Sequence, residues 1–176
     1  MLKKSLFLVV LIVLSMGFSV PEKVMKKADK VIAKFYGTAE FSKEAMAVSE
    51  LENSLTPSHF GANNFFKISV NDSLLGYGYI GNAPSKTATF DYLVLFDENF
   101  IISKSKVLIY REEYGGEIGS KRWLRQFDGE STASSELKYN EEIIPIAGAT
   151  ISVRSMTQAM NDLLVSLRKL QELNVL

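Results

Sequence analysis

The chain has 176 residues, 47% hydrophobic and 23% charged, which is enough apolar material for one folded core and too much for a disordered tail. Twenty Lys and Arg balance twenty Asp and Glu, so no net field draws the chain to nucleic acid or to an anionic surface. Cysteine is absent and His59 is the sole histidine, which excludes disulfides, thiolate chemistry, Cys/His zinc sites and iron–sulfur clusters. No metal site is expected, and any redox chemistry must be carried by an organic cofactor.

The chain opens "MLKKSLFLVVLIVLSMGFSVPEK": Lys3 and Lys4, an apolar run from Leu6 to Leu14, then small or neutral residues to Ser19 and Pro21. This is the order of a secretory signal peptide, and the apolar stretch falls short of the roughly 18–20 residues of a spanning helix. Residues 1–20 are therefore read as a signal peptide with an exit near Ser19, or as an uncleaved N-terminal anchor in which residues 6–20 hold the chain to the membrane. Residues 21–176 are read as a single domain, exported to the periplasm or the outer face of the cytoplasmic membrane.

In "EKVMKKADKVIAKFYG", Val24, Ala28, Val31, Ile32 and Phe35 recur at helical spacing and Gly37 stands beyond them. The five lysines read as a solvated face. A weak strand pattern covers Glu40 to Ser49. From Asn64, "FFKISV", "LLGYGYIG", "TATFDYLVLFD" and "FIISKSKVLIY" are aromatic and β-branched runs separated by "NDS", "GNAPSK" and "DEN". These predict an antiparallel meander of four strands. The imperfect alternation of "TATFDYLVLF" predicts a central strand covered on both faces. Gly76 and Gly78 predict a bulge or the close approach of something flat.

"REEYGGEIGSKRWLRQFDGES" follows, with Gly115, Gly116 and Gly119 permitting tight turns and Ser120 capping a short helix. Trp123 and Phe127 share its face as core anchors or as an aromatic wall beside a ligand. The last helix runs from about Ser152 toward Leu173, with Val153, Met156, Met160, Leu163, Leu164, Leu167 and Leu170 as its apolar stripe. The fold class is thus α+β: a meander sheet with an N-terminal helix, a short middle helix and a long C-terminal helix packed on it.

"AGAT", Ala147 to Thr150, precedes that long helix. A helix opening at Ser152 presents free amides and a positive dipole end to Thr150, where a phosphate is stabilised. Gly148 and Ala149 leave room for a bulky group, and Arg154 adds charge if it turns back. Read alone, the stretch is more simply a plain strand-to-helix turn with Ser152 as the cap of the helix. For a flat cofactor, Tyr77, Tyr79, Tyr92 and Tyr110 are the available stacking surfaces. No catalytic base stands out, and His59 lies in a loop.

The order "GYGYIG", "LVLFDENFIISKSKVLIYREE", "EYGGEIG", "WLRQFDGES" and "AGATISVRSM", from Gly76 to Leu164, resembles the FMN-binding domain family. That family includes the C subunit of the sodium-pumping NADH:quinone reductase and the G subunit of the Rnf complex. The resemblance implies FMN esterified through its phosphate to Thr150 by a flavin transferase that uses FAD and magnesium. It implies Gly148, Ala149 and Ser152 flanking the attachment, and Glu113, Gly115, Gly116 and Gly119 near the isoalloxazine. Trp123, Leu124 and Phe127 would hold that loop. It further implies electron relay between membrane redox proteins rather than independent catalysis, with no nucleic-acid partner. Two positions depart from the family pattern: Ala147 replaces a Ser or Thr, and Ile144 stands where many members carry Asp, with Glu141 and Glu142 the nearest carboxylates. The glycine loop is one residue longer than in the respiratory subunits, as in a freestanding branch of the family. The competing expectations are noncovalent FMN and an exported non-redox module for a lipid or planar metabolite.

Overall fold

The computed structural model describes residues 19–176. The predicted signal or anchor segment lies almost wholly outside these residues. Among the described residues, no helix is long and apolar enough to cross a membrane.

The first helix, α1 (Glu22–Tyr36), starts after Pro21 and stops at Gly37, whose φ of 71° only glycine adopts without strain. It buries Val24, Ala28 and Ile32, while Phe35 at the edge of the stripe is 38% exposed. Then come β1 (Ser42–Ala45), a one-turn helix α2 (Glu50–Asn53) with a Ser49/Glu52 capping box, β2 (Phe65–Val70), β3 (Ser73–Pro84), β4 (Thr89–Phe96) and β5 (Ile102–Ile109). Helix α3 (Lys121–Leu124) lies between two 3-10 turns, Gly116–Gly119 and Arg125–Phe127, and α4 (Thr150–Glu172) closes the chain.

The five strands pair antiparallel in the order β1-β2-β3-β4-β5. The predicted four-strand meander is present, and the weak 40–49 pattern supplies a fifth strand at its edge. Asn71 and Asp72, both at positive φ, make the two-residue turn between β2 and β3 that suits the sheet twist. Strand β3 continues through Pro84, so the "GNAPSK" turn contracts to Ser85–Ala88, closed by Ser85 N–H donating to the Ala88 carbonyl at 2.7 Å.

Strand β4 is covered on both faces, as its sequence predicts. Phe90, Tyr92, Val94 and Phe96 join the core under α4, and Leu93 and Leu95 join the core under α1. All seven apolar stripe residues of α4 are buried in the first of these.

The β3 glycines admit protein groups rather than a ligand. A Cβ at Gly76 (φ 145°) would lie 2.0 Å from the Phe96 carbonyl, one at Gly78 2.4 Å from the Phe66 ring, and one at Gly81 2.2 Å from the Tyr92 ring. The predicted bulge lies beside Gly76, where the β2–β3 register shifts between Ile68, paired with Gly76, and Ser69, paired with Leu74, and the flat neighbours at Gly78 and Gly81 are the chain's own Phe66 and Tyr92 rings.

A long irregular segment, residues 128–149, joins α3 to α4. The side chain of Asn161 on α4 grips it at Leu137, accepting from the Leu137 amide at 2.9 Å and donating to its carbonyl at 2.8 Å. The Arg168 guanidinium donates to the carbonyls of Thr132 and Ser134. Asn161→Ala leaves a buried amide and carbonyl unpaired, so a loss of about 2–4 kcal/mol is expected in chemical denaturation. A loss under about 0.5 kcal/mol would show that water satisfies Leu137.

Candidate functional site

A groove of about 990 Å³ lies where the end of β5, the glycine loop, the Ser85–Thr87 turn and the start of α4 meet. Its lining includes Glu113, Gly115, Gly148, Ala149, Thr150 and Ser152 of the sequence-predicted residues.

One wall is the start of α4. Gly148 takes φ 75° and turns the chain one step before the helix. Thr150 is the first helical residue, because the Val153 amide already donates to the Ala149 carbonyl at 2.9 Å. The helix therefore opens two residues before the predicted Ser152, and no side chain caps it. The amides of Thr150, Ile151 and Ser152 precede the first intrahelical bond, leaving donors and the positive dipole end free to meet an anion. Thr150 is exposed, and its hydroxyl makes no hydrogen bond among the described residues.

Ser152 is not the cap. It is 2% exposed and its hydroxyl belongs to a chain joining four segments. Tyr110 donates its single proton to the Tyr114 carbonyl at 3.0 Å. The 3.1 Å contact between Tyr110 and Ser152 therefore has Ser152 as donor, and the 2.5 Å contact with Ser85 has Ser85 as donor. Ser152 thus ties α4 to β5, the glycine loop and the β3–β4 turn.

The other wall is the glycine loop. Gly115, at φ 78°, packs so closely that a Cβ there would sit 2.6 Å from the Ala149 Cβ. Gly116 faces open space and Gly119 lies behind the groove, its carbonyl accepting from Lys106 Nζ at 3.2 Å. Trp123 and Leu124 are buried and do not line the groove. Trp123 shares a buried cluster with Ile118 of the glycine loop, and its indole N–H donates to the Ile144 carbonyl at 2.8 Å. The Ile144 amide in turn donates to Gln126 Oε1 at 2.7 Å. Both bonds pin the segment that leads into Ala147–Thr150, while Ser120 caps α3 as predicted.

Of the four candidate tyrosines, Tyr110 lines the groove. Tyr79 and Tyr92 are core residues whose burial pushes their hydroxyls up, Tyr79 to about 12 and Tyr92 well above the usual value. Tyr77 stacks on Phe100 with ring centroids 4.2 Å apart. Arg154 does not turn back, since its guanidinium lies 4.7 Å from the centre of the Tyr139 ring. The cations at the groove are Lys86 and Arg111, the latter paired with Asp91 at 2.5 Å.

Sequence reasoning missed Ser85, Lys86, Thr87 and Glu112, because a turn and a charged strand end carry no motif. Glu112 clamps the turn to β5, accepting from the Thr87 amide, the Thr87 hydroxyl and the Ala88 amide at 2.6, 2.8 and 3.0 Å. The two bonds from Thr87 are the main cause holding its carboxyl down at about 2, against an ordinary 4.5. Because the folded value is depressed, the clamp contributes its stability above pH 4.5 and loses it as pH falls toward 2. Denaturation midpoints taken across this window are expected to fall more steeply for the parent than for Glu112→Gln. Parallel curves would contradict the clamp.

Glu142, near the family's aspartate position, is occupied elsewhere. It accepts from the Lys138 amide at 3.0 Å, and backbone hydrogen bonds hold its carboxyl below the usual range. Ile144 itself is 64% exposed beside the groove entrance segment. Among the described residues no group of three or more acidic or histidine side chains could hold a metal.

The residues present fit FMN. Unpartnered helix amides suit its phosphate, small residues at Gly148 and Ala149 leave space beside it, and the groove is open and partly apolar along Tyr110 and Tyr114. No curated protein matches the chain. The FMN-binding domain family model matches residues 87–165. That span starts at the groove's Thr87 and takes in β4, β5, the glycine loop, α3 and most of α4, leaving the "GYGYIG" strand outside. Residues 87–165, somewhat under half of the chain, are thus similar to an FMN-binding domain, which supports a flavin as the ligand of the groove.

Proposed function

We propose that this chain is an exported flavoprotein whose FMN is joined through its phosphate to Thr150 and which passes electrons between membrane-associated redox partners. One observation carries the attachment: within the matched domain, an exposed threonine hydroxyl stands at the uncapped first turn of α4, facing a groove with space for a ring system. The positive helix end stabilises the phosphate of the ester. Gly148 and Ala149 keep side chains away from the linkage. The Ser85–Ser152–Tyr110 chain and the Trp123 bond to Ile144 hold the two walls at fixed separation.

In the attachment step the Thr150 hydroxyl oxygen bonds to the FMN phosphorus of FAD. The bond from that phosphorus to the bridging oxygen of the pyrophosphate breaks, AMP leaves with the electron pair, and the hydroxyl proton passes to solvent. A dedicated flavin transferase with magnesium is the partner for this step. The bound flavin supplies the redox chemistry, and the chain's own residues bind and orient it. Attachment by an ester prevents loss of cofactor outside the cytoplasm, and the basic, apolar start of the chain supports export.

Co-production with a flavin transferase, followed by denaturation and ultrafiltration, tests this reading. Flavin colour retained with the polypeptide is expected. Colour that passes the filter would mean noncovalent FMN, and a protein colourless before denaturation would contradict the proposal.

A further inference from the structure

The approach to Thr150 is itself a surface, and the flavin groove does not account for all of it. Residues 144–151, "IPIAGATI", carry no charge, and six of the eight are exposed: Ile144, Pro145, Ala147, Gly148, Thr150 and Ile151. Ile144 is 64% exposed and Ile151 48%. Tyr114, 74% exposed, stands on the glycine-loop wall of the same groove. Single exposed apolar residues are ordinary on folded proteins, whereas a continuous uncharged strip marks a contact surface.

The strip divides at Ala147. From Ala147 to Ile151 it lines the groove, where a bound cofactor can cover it. Ile144, Pro145 and Ile146 do not line the groove, so a cofactor gives no reason for the exposure of the first two. Their backbone is nevertheless fixed. The Ile144 carbonyl accepts from the Trp123 indole at 2.8 Å, its amide donates to Gln126 at 2.7 Å, and the Ala149 amide donates to the Ile146 carbonyl at 3.1 Å. A loop tied at both ends presents its side chains in one arrangement, and a partner that meets it has little ordering to offset.

We propose that Ile144 and Pro145, with Tyr114 on the other wall, form the docking surface for the flavin transferase, whose matching face is apolar. This rests on the attachment of FMN to Thr150 proposed above. The occupant follows from the chemistry of that step. An enzyme that brings the FMN phosphorus of FAD to the Thr150 hydroxyl has to cover the residues leading to it, and those residues are the pinned, uncharged strip. A redox partner needs to approach only the groove that holds the cofactor, and the segment beyond Ala147 lies outside it.

The unmodified full chain is mixed with a flavin transferase, FAD and magnesium, and initial rates of covalent flavin incorporation are followed by in-gel fluorescence as the chain's concentration is varied. Ile144→Gln is expected to raise the chain's KM on the order of tenfold while kcat changes by less than about twofold. Leu51→Gln, at a leucine 74% exposed and outside both strip and groove, changes neither. Thr150→Val keeps the surface and lacks the acceptor, so it inhibits modification of the wild-type chain competitively. Adding Ile144→Gln to Thr150→Val removes most of that inhibition.

Three results would overturn the proposal. An Ile144→Gln chain modified with the wild-type KM, or a doubly substituted chain that competes as well as Thr150→Val alone, would remove the docking surface and leave the attachment standing. A fall in kcat at unchanged KM would make Ile144 a residue that positions Thr150 and not one that docks the enzyme. A wild-type chain that acquires no flavin would remove the attachment, and this surface with it.

Discussion

Thr150→Val is expected to yield a folded protein that keeps no flavin after denaturation. Valine matches threonine in size and branching, and Thr150 is exposed at the first turn of α4 with no hydrogen bond from its hydroxyl among the described residues. The change should therefore alter stability by no more than about 0.5 kcal/mol. Nor does another hydroxyl stand ready to replace it. Ser152 is buried and bonded to Ser85 and Tyr110, and Thr157 is buried with its hydroxyl donated to the Val153 carbonyl at 2.9 Å. Loss of attachment should accordingly be complete rather than partial. In-gel flavin fluorescence of the denatured variant, beside circular dichroism of the native one, checks both halves. Fluorescence retained by a folded Thr150→Val chain would remove Thr150 from the account.

The second large effect is at the contact between the two groove walls. Gly115 sits at φ 78°, and a Cβ there would meet Ala149 Cβ at 2.6 Å, Tyr110 hydroxyl at 3.1 Å and Ala149 Cα at 3.2 Å. Neither Ala149 atom is the end of a flexible side chain, so the backbone before Thr150 must move. Left-handed backbone costs a non-glycine residue about 1–2 kcal/mol. With the displacement added, Gly115→Ala is expected to destabilise by about 1–3 kcal/mol and to lower flavin loading severalfold. Gly116→Ala, one residue on, meets nothing within 4 Å and has no positive φ. It should change stability by less than about 0.5 kcal/mol and leave loading intact. Equal behaviour of the two variants in denaturation and flavin content would show that the close contact does not set the groove.

How much of this could be read from the sequence differs by element. The stripe from Val153 to Leu170 fixes α4 because a 3.6-residue period over five turns has no competing explanation. The runs from Phe65 to Ile109 fix four strands by their aromatic and β-branched content and the turn residues between them, β4 without a period of two because both its faces are covered. Strand β1 is short and exposed, so its pattern is faint and its pairing with β2 is decided by the partner's edge. The sequence places the start of α4 two residues late because Ser152 looks like a cap. In the fold, the left-handed turn at Gly148 starts the helix earlier and leaves the serine facing inward.

The site was legible where it is carried by small residues and glycines, whose spacing constrains the backbone. It was not legible where it depends on which face a strand presents. Tyr79, Tyr92 and Tyr110 look equivalent in the sequence, and the register of β3, β4 and β5 sends the first two into the core. Trp123 was foreseen as an anchor, but its bond to Ile144, 21 residues away, follows from the path of an irregular segment that has no periodicity. The clamp by Glu112 was invisible for a similar reason, since it joins two loops that approach only after the sheet has formed.

The most direct test is the mass of the wild-type chain, produced with a flavin transferase, denatured, and digested for peptide mapping. An added mass equal to FMN less water, carried by the peptide from the start of α4 and localised to Thr150, is the predicted result. An unmodified chain from cells in which another family member becomes flavinylated would contradict the covalent assignment.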